Sequence, residues 1–97
     1  MAIQYKKNKN EVIIYIRGEL DYDHGDKLID FIKQNCSEFG KIIINLESVS
    51  YINTDGLKGF INACNLLKER RFLIEKVQEN IKEIFAKIGL LNLIPYK

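Results

Sequence analysis

The run Asn53-Thr54-Asp55-Gly56 sets an amide, a hydroxyl and a carboxylate side by side, directly before an apolar stripe. That stripe, Leu57, Phe60, Ile61, Cys64 and Leu67, recurs at three- and four-residue steps and predicts a helix. The oxygen-bearing side chains therefore lie at a helix N-terminus, where unpaired N–H groups and the positive end of the dipole favour negative charge. Such a place suits a carboxylate, a phosphorylated hydroxyl or a bound anion. A plainer reading fits equally well on residue physics alone. Asn53 or Thr54 caps the helix, Asp55 interacts with the dipole for about 0.3–1 kcal/mol, and the tip does nothing more.

The other reactive groups do not assemble an enzyme. The six glycines, Gly18, Gly25, Gly40, Gly56, Gly59 and Gly89, are scattered, and none completes a phosphate-cradling loop. Cys36 and Cys64 occupy apolar helical positions, which reads as buried thiols in a reducing compartment. His24 lies in a polar helix start and is expected to be solvated. Asp21, Asp23 and Asp26 are paired carboxylates, yet acids gathered before a helix are ordinary capping chemistry. One histidine and no CxxC argue against a metal site, and no nucleophile, base and orienter stand together. No cofactor is expected.

Composition narrows the partners. Fifteen basic and thirteen acidic residues interleave to a net charge of +2, without the basic stripe that nucleic-acid binders show. Lys6, Lys7 and Lys9 read as a solvated strand edge. No apolar run approaches the ~18 residues of a membrane span, and the N-terminus lacks an apolar signal segment. A cytoplasmic protein with no membrane insertion is the expectation, and a homodimer is left open.

These residues need a scaffold, and the pattern supplies one. Ile3 to Lys7 reads as a short edge strand, Asn8-Lys9-Asn10 as a turn, and Glu11 to Arg17 as a strong strand that Gly18 ends. Asp23 is the expected N-cap of a first helix whose face carries Leu28, Ile32, Cys36 and Phe39, with Gly40 as its stop. A buried strand, Ile42 to Leu46, follows, then a short polar connection and a second apolar touch at Val49, Tyr51 and Ile52. After the helix at Asn53, Phe72 to Lys76 reads as a strand. Gln78 to Ile88 reads as a helix with Ile81, Ile84, Phe85 and Ile88 as its stripe. Leu90, Leu91, Leu93 and Ile94 are expected to fold the tail onto the core. The prediction is one α/β domain over residues 1–97, in the order β-β-α-β-α-β-α. A mixed sheet of about four strands carries three helices mainly on one face.

The stretch INLESVSYINTDGLKGFINACNLLK resembles the signature of STAS domains (sulfate transporter and anti-sigma factor antagonist). In that family a buried strand leads into a hydrophobic-Asp-Ser-Ser/Thr-Gly-Leu turn that starts the second helix. The Gly18-Glu19-Leu20-Asp21 turn and the final IxxIFxxIGLxxLI segment fit as well, so the likeness spans nearly the whole chain. The resemblance implies a regulatory, non-enzymatic module that binds a serine-protein kinase acting as an anti-sigma factor. In stand-alone bacterial members that kinase phosphorylates the hydroxyl before the glycine, which abolishes binding.

Carried over by position, Asn53 stands for the family's Asp, Thr54 is the first hydroxyl of the pair, and Asp55 occupies the acceptor place before Gly56. Asp55 then acts as a fixed negative charge, or the switch moves to Thr54, or the surface binds without any phosphoswitch. The implied contact surface comprises Asp21, Asp23, Asn53, Thr54, Asp55, Gly56 and Lys58. The alternative role is a STAS accessory subunit of a phospholipid-transport ATPase complex or of a multi-STAS signalling assembly.

Overall fold

The structure is a computed structural model and describes residues 3–35, 38–68, 70–92 and 94–96. Its strands are β1 (Gln4–Asn8), β2 (Glu11–Leu20), β3 (Lys41–Ile52) and β4 (Phe72–Glu75), and its helices α1 (Tyr22–Asn35), α2 (Thr54–Leu67) and α3 (Glu79–Lys87). A short 3-10 turn, Leu90–Asn92, follows. The order is the expected β-β-α-β-α-β-α. The strands lie in the sheet as β1-β2-β3-β4, with β1 antiparallel to β2 and the other pairings parallel.

Alternation along β2 and β3 sends Val12, Ile14, Ile16, Ile42, Ile44 and Leu46 to one face, where all are at most 1% exposed. All three helices cover that face. Phe60 of α2 stacks on Phe85 of α3 with ring centroids 5.3 Å apart, and Leu28 and Ile32 of α1 join the same cluster. Burying a side chain of this size contributes about 1.5–3 kcal/mol, so this single layer of contacts supplies the core.

Both central strands run further than the sequence pattern suggests. Gly18 continues β2 rather than ending it: at φ +81° it bends the strand where few other residues are at ease, and the strand resumes to Leu20. The polar link after Leu46 is likewise part of β3. From Tyr15/Asn45 to Arg17/Ser48, and again from Gly18/Val49 to Glu19/Tyr51, β3 advances one residue more than β2. These two bulges change the inward spacing from two to three, so Leu46, Val49 and Ile52 face the core while Glu47 and Ser48 stay exposed.

Smaller differences arise at element ends. Asn35 is the last residue of α1, so Phe39 is buried from beyond the helix, while Gly40 donates to Asn10 Oδ1 at 2.9 Å. Cys36 and Leu93 lie outside the described residues. Helix α3 stops at Lys87, leaving Ile88 47% exposed instead of on the buried stripe. The tail does fold back: Leu90 and Ile94 are buried, and Ile74 N–H donates to Pro95 O at 3.0 Å.

Candidate functional site

Asn53 makes the turn from β3 into α2. Its backbone is extended (φ −99°, ψ 175°), its Oδ1 accepts the Gly56 N–H at 2.7 Å, and its carbonyl accepts the Leu57 N–H at 2.9 Å. That is N-cap geometry, and it fixes Thr54 and Asp55 in the first turn with both side chains exposed. Asn53 N–H also reaches Leu20 O at 3.3 Å, tying the turn to the end of β2.

Gly56 explains how closely the two loops meet. A Cβ at that position would lie 1.7 Å from Leu20 O and 2.9 Å from the Asp21 Cα. Gly56 is buried, so its part in the site is to let the β2–α1 loop lie against the start of α2. One turn further on, Gly59 repeats the device: its Cβ would come 2.9 Å from the Cα of Gly25, and helices α1 and α2 cross on this glycine pair.

The β2–α1 loop is organised by Asp21, not Asp23. Asp21 Oδ1 accepts the His24 N–H at 3.0 Å and its carbonyl accepts the Gly25 N–H at 3.0 Å, so the cap falls two residues earlier than expected. Asp23 is exposed within α1 and pairs with Lys27 at 3.3 Å, a solvated i,i+4 contact of small energetic weight. His24 is buried at 1% exposure, contrary to the expected solvated ring. Its Nδ1 hydrogen-bonds the Glu19 carbonyl, a partner that the bend of β2 after Gly18 brings into range. Nothing in the polar run around His24 signals that burial.

Between the first turns of α1 and α2 runs a groove of about 250 Å³ lined by Tyr22, Asp26, Ile29, Asp55, Lys58, Gly59 and Asn62. Asp55 and Lys58 therefore share one surface with α1. Sequence reasoning missed Tyr22, which at 68% exposure is the most exposed large aromatic among the described residues. Its signal is there to read: a large ring inside the polar run Asp21-Tyr22-Asp23, with no apolar neighbour three or four residues away. Asp21, Asn53, Thr54, Asp55, Gly56 and Lys58 all converge at this end of the sheet, with Asp23 on its flank. Cys64 is buried on α2, away from the tip, and burial pushes its thiol up to about 12. No helix among the described residues is long and apolar enough to cross a membrane.

A profile of the STAS domain family matches residues 2–97, and the chain belongs to that family. It is 24% identical over 94 residues to an anti-sigma-B factor antagonist of Bacillus subtilis, covering 95% of this chain and 86% of that one. Among solved structures it superposes on a putative anti-sigma factor antagonist from Thermotoga maritima with a TM-score of 0.82 at 16% identity, over 97% of this chain and 84% of the other. It also superposes on the phosphorylated form of a Bacillus cell-fate determinant with a TM-score of 0.69 at 21% identity, over 99% and 91%. The domain is thus a STAS module, and the relatives it resembles include anti-sigma factor antagonists.

Proposed function

We propose that this protein is a regulatory docking module that binds a serine-protein kinase acting as an anti-sigma factor through the start of α2. Asn53, Thr54, Asp55 and Lys58 form the centre of the contact, and Asp21 and Asp23 on the α1 side form its flank. Asp55 takes the acceptor place, so the hydroxyl switch is absent there and Thr54 is the hydroxyl that remains at the helix start. A carboxylate has one charge and lacks the tetrahedral oxygens of a phosphate, so its imitation of the phosphorylated form is partial. A partner that rejects phosphate at this place through repulsion and desolvation still tolerates Asp55.

The observation that carries this reading is the exposed Thr54–Asp55 pair, positioned in the first helical turn by the Asn53 cap and set against the β2–α1 loop by Gly56. The relatives support it: an anti-sigma-B factor antagonist and a putative anti-sigma factor antagonist are among them, and a Bacillus cell-fate determinant of the same fold is captured in a phosphorylated form.

The test is titration calorimetry against the cell's own kinase of this class, with ATP present and mass spectrometry of the product. Binding by the native chain, weakened by Thr54→Glu and made sensitive to ATP by Asp55→Ser, is the expected pattern. Absence of binding to any such kinase, or binding indifferent to Thr54→Glu, Asp55→Lys and Lys58→Glu together, would overturn it.

A further inference from the structure

The sheet has a second face, and no helix among the described residues covers it. Its central row, set by the register, is Lys6, Ile13, Ile43 and Leu73; the next row is Gln4, Tyr15, Asn45 and Glu75, and Glu11 lies beside Lys41 at the other end. Ile13, Ile43, Tyr15 and Leu73 stand apart from the hydrophobic cluster that the helices close. Ile43 is nevertheless only 7% exposed, shielded by its lateral neighbours on β2 and β4. An apolar centre is thus framed by charges of both signs: Lys6 on one edge strand, Glu75 on the other, and the pair Glu11–Lys41 (4.0 Å) on the central strands.

We infer that this face is the interface of a homodimer, with a second copy of the chain packed sheet against sheet about a two-fold axis that runs along the strands. The charges select both the occupant and the axis. A two-fold along the strands places β1 of one copy over β4 of the other, and β2 over β3. Lys6 then lies over the second Leu73, one row from the second Glu75, which its long side chain reaches diagonally; Glu11 lies over the second Lys41, and Ile13 lies over the second Ile43. Each opposite-charge contact occurs twice, by symmetry. A two-fold across the strands through this central row would instead set Lys6 on Lys6.

The available area sets the strength. Four strands about 4.8 Å apart and five residues at about 3.3 Å each, with the longer run of β2 and β3 added, give roughly 500 Å² per copy. A standard interface has about 800 Å² per partner, so the dimer is weak and concentration-dependent. The helix side and the tip at Thr54 stay uncovered, so dimerisation and the docking proposed above are separate events with separate readouts.

Sedimentation equilibrium from about 10 µM to about 1 mM, with amide chemical shifts followed over the same dilution, tests the inference. The expected result is a monomer–dimer equilibrium whose shifting amides are those of Ile13, Tyr15, Ile43 and Leu73. Leu73→Lys abolishes it. Lys6→Glu and Glu75→Lys each weaken it roughly three- to tenfold, since two exposed pairs are lost per dimer, and the double variant restores it. Lys6 is exposed on an edge strand, so its substitution leaves the fold intact and keeps the test decisive if Leu73→Lys unfolds. A chain that stays monomeric throughout, a dimer whose shifts fall on α1 or α2, or a double charge swap that fails to restore association would each overturn the proposal.

Discussion

Two helices begin beside β3, and their first residues do different things. At α2 the side chain of Asn53 turns inward and accepts from Gly56 N–H, so the helix start is satisfied by its own cap and the next two side chains point outward. At α3 the residue in the equivalent place, Gln78, makes no side-chain cap. Its amide instead donates to Glu47 O at 2.8 Å, and Asn80 donates to Ser50 O at 3.0 Å. Of β3, strand β4 pairs only with Ile42 to Asn45. The far half of β3 would otherwise leave carbonyls unpaired along that edge, and the start of α3 closes it. One helix start is a self-capped, outward-facing tip, and the other is a structural seal. Polarity at a helix N-terminus is therefore no evidence of a site until the destination of its hydrogen bonds is known.

The contrast can be broken most forcefully at Gly56. Gly56→Ala drives a methyl group into Leu20 O, and a loss of about 3 kcal/mol or more, or failure to fold, is expected in urea denaturation. If the variant is as stable as the native protein, the two loops do not meet as described. Gly59→Ala is milder, because the helices can part by a few tenths of an ångström; about 1–2 kcal/mol is expected. The caps sharpen the comparison next. Asn53→Ala should cost about 1 kcal/mol, whereas Gln78→Ala, losing one exposed bond to a strand carbonyl, should cost about 0.5 kcal/mol. Equal losses would mean that α3 depends on Gln78 as α2 depends on Asn53. The smallest change is Asp55→Asn, about 0.3–1 kcal/mol from the dipole alone, decreasing with added salt.

Cys64 gives a pH test of the buried side of α2. Its thiol is held at about 12 against an ordinary 9.0, because burial disfavours the thiolate. The folded state keeps the proton longer than the unfolded chain does. The stabilisation is thus complete below about pH 9 and is lost as pH rises towards 12. In a Cys36→Ser background, Cys64 should resist a thiol reagent at pH 8 until the chain is unfolded. Rapid labelling of the native protein would place it at the surface.

The sequence makes the element order legible, because each strand and helix carries its own period. A cap at Asn53 or Thr54 is legible for the same reason, since it depends on neighbours in the chain, and the structure assigns it to Asn53. What escapes is set by distant partners. The β3 bulges exist only relative to β2, so the spacing Leu46, Val49, Ile52 reads as a broken strand until the pairing is seen. His24 is polar by type and surrounded by acids, yet the Glu19 carbonyl lets it be buried. Asp21 outcompetes Asp23 for the cap because the Leu20–Gly56 contact fixes where the loop ends, and no local signal encodes that contact.

The bond from Ile74 to Pro95, with the bridge between Ile74 and Tyr96, occupies the outer rim of β4. Fibril-like growth by edge-to-edge polymerisation is therefore closed off on that side. The opposite rim is β1, whose five residues are all exposed and include Lys6 and Lys7, so a newcomer strand would meet a row of ammonium groups. A short C-terminal tail thus doubles as a guard against aggregation.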